Sequence, residues 1–200
     1  MRSSKLIVSF ICLLFIAALP VRSANNPITA LTSTNNLYEW ACLSRAIVNQ
    51  GLTVSTNNPA AFVRHQLVQM SAANFQQKEV IKAQIVALGT NATPSLIAAI
   101  TYAAVPAPIF GDSAVANISI FSMNLLAEMK CQEAVPALID FIDQFQTDVV
   151  LIRNGKEQHQ VVRCLFAITG QDFGKDKARW KKWYTDNHHS GNSGSIVSKP

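Results

Sequence analysis

The chain has 200 residues, 49% of them hydrophobic and 14% charged, with a formal net charge of +5 at pH 7. Ten Phe, three Trp and three Tyr can anchor a core, which argues against intrinsic disorder, and eight Gly with eight Pro exclude a collagenous or low-complexity chain. This length fits one domain, at most two.

The first element is an address. Arg2 and Lys5 make a short basic start. Leu6 to Leu19 is an almost unbroken apolar run of about fourteen residues, too short to span a bilayer comfortably. Pro20 ends it, and Val21 and Ser23 stand at −3 and −1 for cleavage before Ala24. Residues 1–23 therefore read as a signal peptide, with an uncleaved N-terminal anchor as the alternative. Cys12 follows Phe10-Ile11 and lacks the small residues of a lipoprotein signal. Losing Arg2, Lys5 and Arg22 takes the 17 Lys and Arg to 14 against 12 Asp and Glu, and the net charge from +5 to +2. That leaves no concentrated basic face, so no nucleic-acid partner is expected. The longest later apolar stretch, Leu96 to Phe110, is broken by Pro106 and Pro108, so no membrane span is expected after cleavage.

Residues 24–57 read as a polar leader and an N-terminal helix. The Asn- and Thr-rich stretch 24–36 is expected to be loose. Asn35 or Asn36 caps a helix with Glu39 in its first turn and Leu37, Trp40, Ala41 and Ile47 at helical spacing, and Gly51 stops it. Asn58-Pro59 opens the next helix, with Phe62, Val63, Leu67 and Met70. Asn74 caps a helix over Phe75 to Leu88, closed by Gly89. Thr93-Pro94 opens another, with Leu96, Ile97 and Ile100 on one face. Asp112-Ser113 starts a third in this series, through Phe121, Leu125, Leu126 and Met129. Ala134 to Ile142 is a fourth. Gln158 to Ile168, after the polar Asn154-Gly155, is a fifth, stopped by Gly170. Asp176 caps the last, which carries Trp180, Trp183 and Tyr184 on one side. Val149 to Ile152 is the one short extended candidate. Residues 188–200 read as a flexible tail.

The pattern repeats. Pro94 and Pro136 are 42 residues apart, and Leu96, Ile97 and Ile100 superpose on Leu138, Ile139 and Ile142 at that offset. Ala87-Leu88-Gly89 and Ile168-Thr169-Gly170 end helices about two periods apart. A helix, a turn and a proline-started helix recurring every ~40 residues describe stacked helical hairpins, because one hairpin cannot bury its own apolar face.

These segments resemble HEAT-repeat proteins. Ile85-Val86-Ala87-Leu88-Gly89 with Pro94-Ser95-Leu96-Ile97, and Ala134-Val135-Pro136-Ala137-Leu138-Ile139, are similar to the family's hairpin. Thr169-Gly170-Gln171-Asp172-Phe173-Gly174, followed by Trp180 and Trp183, is similar to the ending of exported bacterial HEAT-repeat proteins. The resemblance covers residues 58–187. It implies an all-α solenoid of about three hairpins, plus a divergent N-terminal helix, that binds partners. It implies no catalytic, metal-binding or cofactor-binding residue.

Several residues invite chemistry. Lys175, Lys177, Arg179, Lys181 and Lys182 form a basic cluster that reads as a solvated helix face or a contact for an acidic partner. His188-His189 lack a third ligand at metal spacing. His65 and His159 stand alone, as surface or boundary residues. Asp172 is expected to bond backbone N–H groups of its own turn. Asn91 and Asn117 head formal glycosylation sequons, expected bare in a bacterial host. Cys42, Cys131 and Cys164 read as small buried hydrophobes, or as one disulfide and a free thiol. No nucleophile elbow, zinc-protease motif or phosphate loop occurs. The expectation is an exported, periplasmic or secreted, non-catalytic module that binds a protein or peptide. The alternatives are a small enzyme or enzyme accessory subunit on similar helices, and a structural cell-envelope protein.

Overall fold

A computed structural model describes residues 26–101, 112–143, 151–153 and 156–188. The expected signal peptide, Pro106 and Pro108, Val149-Val150, Asn154-Gly155 and residues 189–200 lie outside the described residues.

The described residues are all-α apart from one small hairpin. Helix α1 spans Pro27–Ser33 and corrects the expected loose leader. Asn26 Oδ1 accepts from Ile28 N at 2.9 Å, Pro27 holds the first helical position, and Leu31 is fully buried. The Asn residues that look like a linker are here cap acceptors, and the Thr32 hydroxyl donates back to Thr29 O. Helix α2 (Leu37–Asn49) starts from Asn36, whose Oδ1 accepts from Tyr38 N at 2.8 Å, and buries Leu37, Trp40, Ser44 and Ile47. Helix α3 (Pro59–Ala72) is capped by Asn58, and α4 (Phe75–Val86) by a reciprocal box in which Asn74 and Gln77 each bond the other's backbone at 3.0 Å. A 3₁₀ turn, Gly89–Ala92, leads into α5 (Thr93–Thr101). After α6 (Asp112–Glu128), a second 3₁₀ turn, Gln132–Ala134, leads into α7 (Val135–Phe141).

Strands β1 (Leu151–Arg153) and β2 (Lys156–Gln158) then pair antiparallel, Leu151 opposite Gln158 and Arg153 opposite Lys156. Gln158, expected to begin a helix, ends this hairpin, and α8 runs over Gln160–Thr169. Helix α9 covers Lys177–His188, so His188 closes a helix rather than opening an extended tail.

The 42-residue offset survives in three dimensions. Ala92 and Ala134 close the two 3₁₀ turns, Pro94 and Pro136 follow two residues later, and Ala92, Ala134, Leu96 and Leu138 are all fully buried. A second periodicity is visible in the sequence only as the helix-stopping Gly51, Gly89 and Gly170. The chain enters left-handed backbone after α2, α4, α6 and α8, at Gly51, Gly89, Lys130 and Gly170, with φ of 64°, 56°, 52° and 76°, and once more at Gly174, with φ of 54°, in the turn before α9. Lys130 is the exception in kind, since a side chain there costs about 1–2 kcal/mol. The side chain compensates through its contacts. Lys130 Nζ donates to Ala167 O, and Gln132 Nε2 donates to Ile168 O at 3.1 Å. The two side chains satisfy carbonyls in the last turn of α8, where a cation also suits the helix dipole.

Packing follows two rows. Helices α3, α5, α7 and α9 contact each other in succession, and α6 packs on α8. Helix α4 departs from the second row. α6 packs on α3, while α4 reaches α6 through long side chains: Lys82 Nζ lies 2.8 Å from Glu128 Oε2, and Lys78 Nζ lies 5.1 Å from the Phe121 ring centroid. In α4 Ile85 alone is fully buried, whereas α8 buries five residues, so the two helices that end alike do not pack alike.

Helices α2 and α9 share one device. Trp40 and Trp180 are each the fourth residue of their helix and fully buried. Each indole N–H donates to a carbonyl six residues back, Thr34 O at 3.2 Å and Gly174 O at 2.9 Å. Phe173 stands edge-on to Trp180 at 4.9 Å, as expected for a ring tucked under the C-terminal cap.

The three described cysteines form no disulfide; Cys131 and Cys164 are buried and Cys42 is half-buried. Burial pushes the Cys164 thiol up to about 12. With a thiol–disulfide reagent, the folded chain from residue 24 is expected to lose Cys42 first and the other two only on unfolding. Fast reaction of all three in the absence of denaturant would show that the α6–α8 contact opens readily.

Candidate functional site

The concavity that stands out lies between α3 and α4, with a volume of about 530 Å³. Its walls are Gln66, Gln69 and Ala72 of α3, Ala73 of the turn, and Gln76, Gln77, Val80, Ile81 and Gln84 of α4. None of these side chains is charged. The helical period explains the lining: residues 77, 80, 81 and 84 recur every three or four positions and share one face. Lys78 and Lys82 sit on another face and are turned toward α6. The displacement of α4 from the α6–α8 row leaves this face uncovered, with Val80 58% exposed.

The amides are partly engaged. Gln66 Nε2 donates to Gln84 Oε1 at 3.1 Å across the groove. Gln77 Oε1 accepts from Asn74 N, and Gln69 Nε2 donates to Ser44 Oγ at 3.3 Å. A primary amide has two donors and one acceptor oxygen with two lone pairs, so each of these Gln retains further hydrogen-bonding capacity. Sequence reading missed the site. Its signal is five Gln within residues 66–84, which in one dimension look like ordinary polar positions.

Behind the groove, Ser44 Oγ lies 2.6 Å from His65 Nδ1. Gln69 Nε2 donates to the same hydroxyl oxygen, and the imidazole tautomer sets which of Ser44 and His65 donates in their bond. The pair has the atoms of a nucleophile and base, but Ser44 is fully buried. A nucleophile must be reachable by substrate, so we read the pair as a tie between α2 and α3. His65, expected alone at a boundary, is half-buried but bonded.

Burial pulls the His65 imidazole below its ordinary value of 6.5. Between the lowered folded value and 6.5 the unfolded chain binds the proton more readily. Stability from this site is therefore complete above about 6.5 and declines as pH falls through that window. Thermal unfolding of wild type against His65→Gln, at neutral and mildly acid pH, is expected to show the acid-side loss diminished in the variant. Equal pH slopes would place the sensitivity elsewhere.

The remaining candidates resolve into structure. In the basic cluster, Lys177 Nζ lies 2.9 Å from Asp143 Oδ2 and Lys181 Nζ 3.0 Å from Asp140 Oδ1, joining α9 to the end of α7. Lys182 pairs with Asp186 at 2.8 Å, and the Arg179 guanidinium sits 4.9 Å from the Phe173 ring centroid. Such exposed pairs contribute at most about 1 kcal/mol each. Asp172 Oδ1 accepts from Gly174 N at 3.0 Å, as expected for its turn. Asn91 and Asn117 are both exposed. His159 precedes α8 at its cap position. Among the described residues no three His, Cys, Asp or Glu side chains are close enough to hold a metal ion. Among them, too, no single helix is long and apolar enough to cross a membrane. One pair, Phe75–Val86 with Gly89–Thr101, reaches that length only together and turns by 110° at its break.

Comparison with protein-family models, with curated proteins and with solved structures finds no match to this chain.

Proposed function

We propose that the chain is an exported, non-catalytic binding module, built as a HEAT-like stack of helical hairpins, that presents the α3–α4 groove to a protein or peptide. The groove's composition carries this reading. Amide side chains hold hydrogen bonds in both directions but neither take nor give a proton near neutral pH. Such a lining suits recognition better than acid–base or nucleophilic chemistry. The left-handed positions at intervals of 38, 41 and 40 residues, and the succession α3, α5, α7, α9, support the repeat architecture. Support for export is the N-terminal pattern of Arg2, Lys5, the apolar run and Val21-x-Ser23.

Two measurements test the proposal. Intact mass of exported protein is expected to begin at Ala24 or close to it; a mass that still includes residues 1–22 rejects cleavage. Affinity capture from the envelope fraction with the chain from residue 24, followed by titration of the purified candidate, is expected to yield a saturable partner. Capture of nothing above background would sink the binding reading.

A further inference from the structure

We propose that the α3–α4 groove takes a short, uncharged, extended peptide segment of another protein, held backbone-to-amide by its glutamines; this rests on reading the chain as a binding module. Charge argues first. The lining carries none, and Lys78 and Lys82, the two cations of α4, face α6. An ionic side chain entering the groove would meet no counter-charge there.

Hydrogen-bond capacity argues second. Gln66 and Gln69 each have an Oε1 that accepts no hydrogen bond from the groove, and Gln77 and Gln84 each have an Nε2 whose donors the groove leaves unused. Gln76, exposed on the same face, has both kinds. An anion would call for donors alone and a cation for acceptors alone. A peptide backbone presents one N–H and one C=O at each residue, which matches a wall offering both.

The aliphatic part and the size set the rest. Ala72, Ala73, Val80 and Ile81 make shallow apolar surface. In an extended ligand alternate side chains point the same way, so every second residue reaches that surface, and small or β-branched side chains fit it. Gln66 to Ala72 spans about 9 Å of helix and Gln76 to Gln84 about 12 Å. The Gln66–Gln84 bond crosses one end of the groove and the α3–α4 turn bounds the other. Three or four extended residues, at about 3.3 Å each, fill that length.

The test is selection of a phage-displayed random heptapeptide library on the immobilised chain from residue 24, with Val80→Asp as comparison. Val80 is 58% exposed, so aspartate there charges the groove without entering the core. Enriched peptides are expected to share a stretch of three or four uncharged residues with a β-branched member. Synthetic copies are expected to bind wild type at least tenfold more tightly than Val80→Asp, at similar melting temperatures. Should that variant fold poorly, Gln76→Ala with Gln84→Ala is expected to weaken the same peptides several-fold. Predominantly charged peptides, equal binding to the groove variants, or no enrichment would overturn the inference. If a partner captured from the envelope binds wild type and Val80→Asp alike, the groove inference falls and the binding-module reading stands. If no partner is captured either, both fall.

Discussion

Truncating Trp180 to alanine is expected to cost about 3–5 kcal/mol, the range for removing a large buried aromatic side chain. The ring is fully buried, edge-on to Phe173 at 4.9 Å and to Trp183 at 6.0 Å, and its N–H holds Gly174 O at 2.9 Å. Helix α9 covers α7, so losing the ring uncovers the end of the α3–α5–α7 row. Urea unfolding measures the loss as a lowered midpoint. Trp183→Ala is expected to cost less, because that ring is only half-buried. Asp176→Ala removes the cap whose Oδ1 accepts from Arg179 N at 3.0 Å and is expected to cost about 0.5–2 kcal/mol. An unchanged midpoint in Trp180→Ala would mean that the aromatic cluster is not the cap of the stack.

Replacing Arg64 with alanine is expected to cost about 2–4 kcal/mol and to release α1. Arg64 is buried on α3, and its Nη1 donates to Leu31 O at 2.7 Å and to Thr34 O at 3.0 Å. Its guanidinium carbon lies 4.7 Å from the Trp40 ring centroid. Charge-assisted bonds contribute about 1.5–3 kcal/mol each and a desolvated cation–π contact about 2, against the cost of burying the charge. Removal takes this donor from Leu31 O, while Thr34 O keeps the indole N–H of Trp40. Arg64→Lys is expected to recover only part of the loss, since an ammonium does not reproduce the planar fork. Hydrogen exchange localises the effect: amides of residues 27–34 should lose protection before those of α6 and α8. Unchanged exchange there would show that α1 is held by its apolar packing and not by Arg64.

How much was legible in the sequence depends on whether the cause is local. Asn36, Asn58, Asn74 and Asp176 announce four helix starts, because a cap bonds backbone within three residues of itself. The spacing of Leu96 and Leu138 reports their burial, because the helical period is a property of the backbone. Asp172 in its turn and Phe173 beside Trp180 follow from the same local logic. These residues by themselves determined an all-α class for the chain.

Tertiary structure decided what depends on partners far along the chain. Helix α1 looked like a linker because its principal tie, Arg64, lies some 30 residues away. Ser44 and His65 meet across 21 residues, and nothing near either one announces the other. Lys130 tolerates left-handed backbone in a place usually given to glycine, and its partner is the end of α8, 37 residues on. The groove is of this kind as well. Its five glutamines are ordinary helix-surface residues until α6 packs on α3, α4 is left outside that row, and the amide face between α3 and α4 stays open. Local bonding is written in neighbouring residues; which helix covers which face is settled by competition among distant apolar surfaces for the same burial.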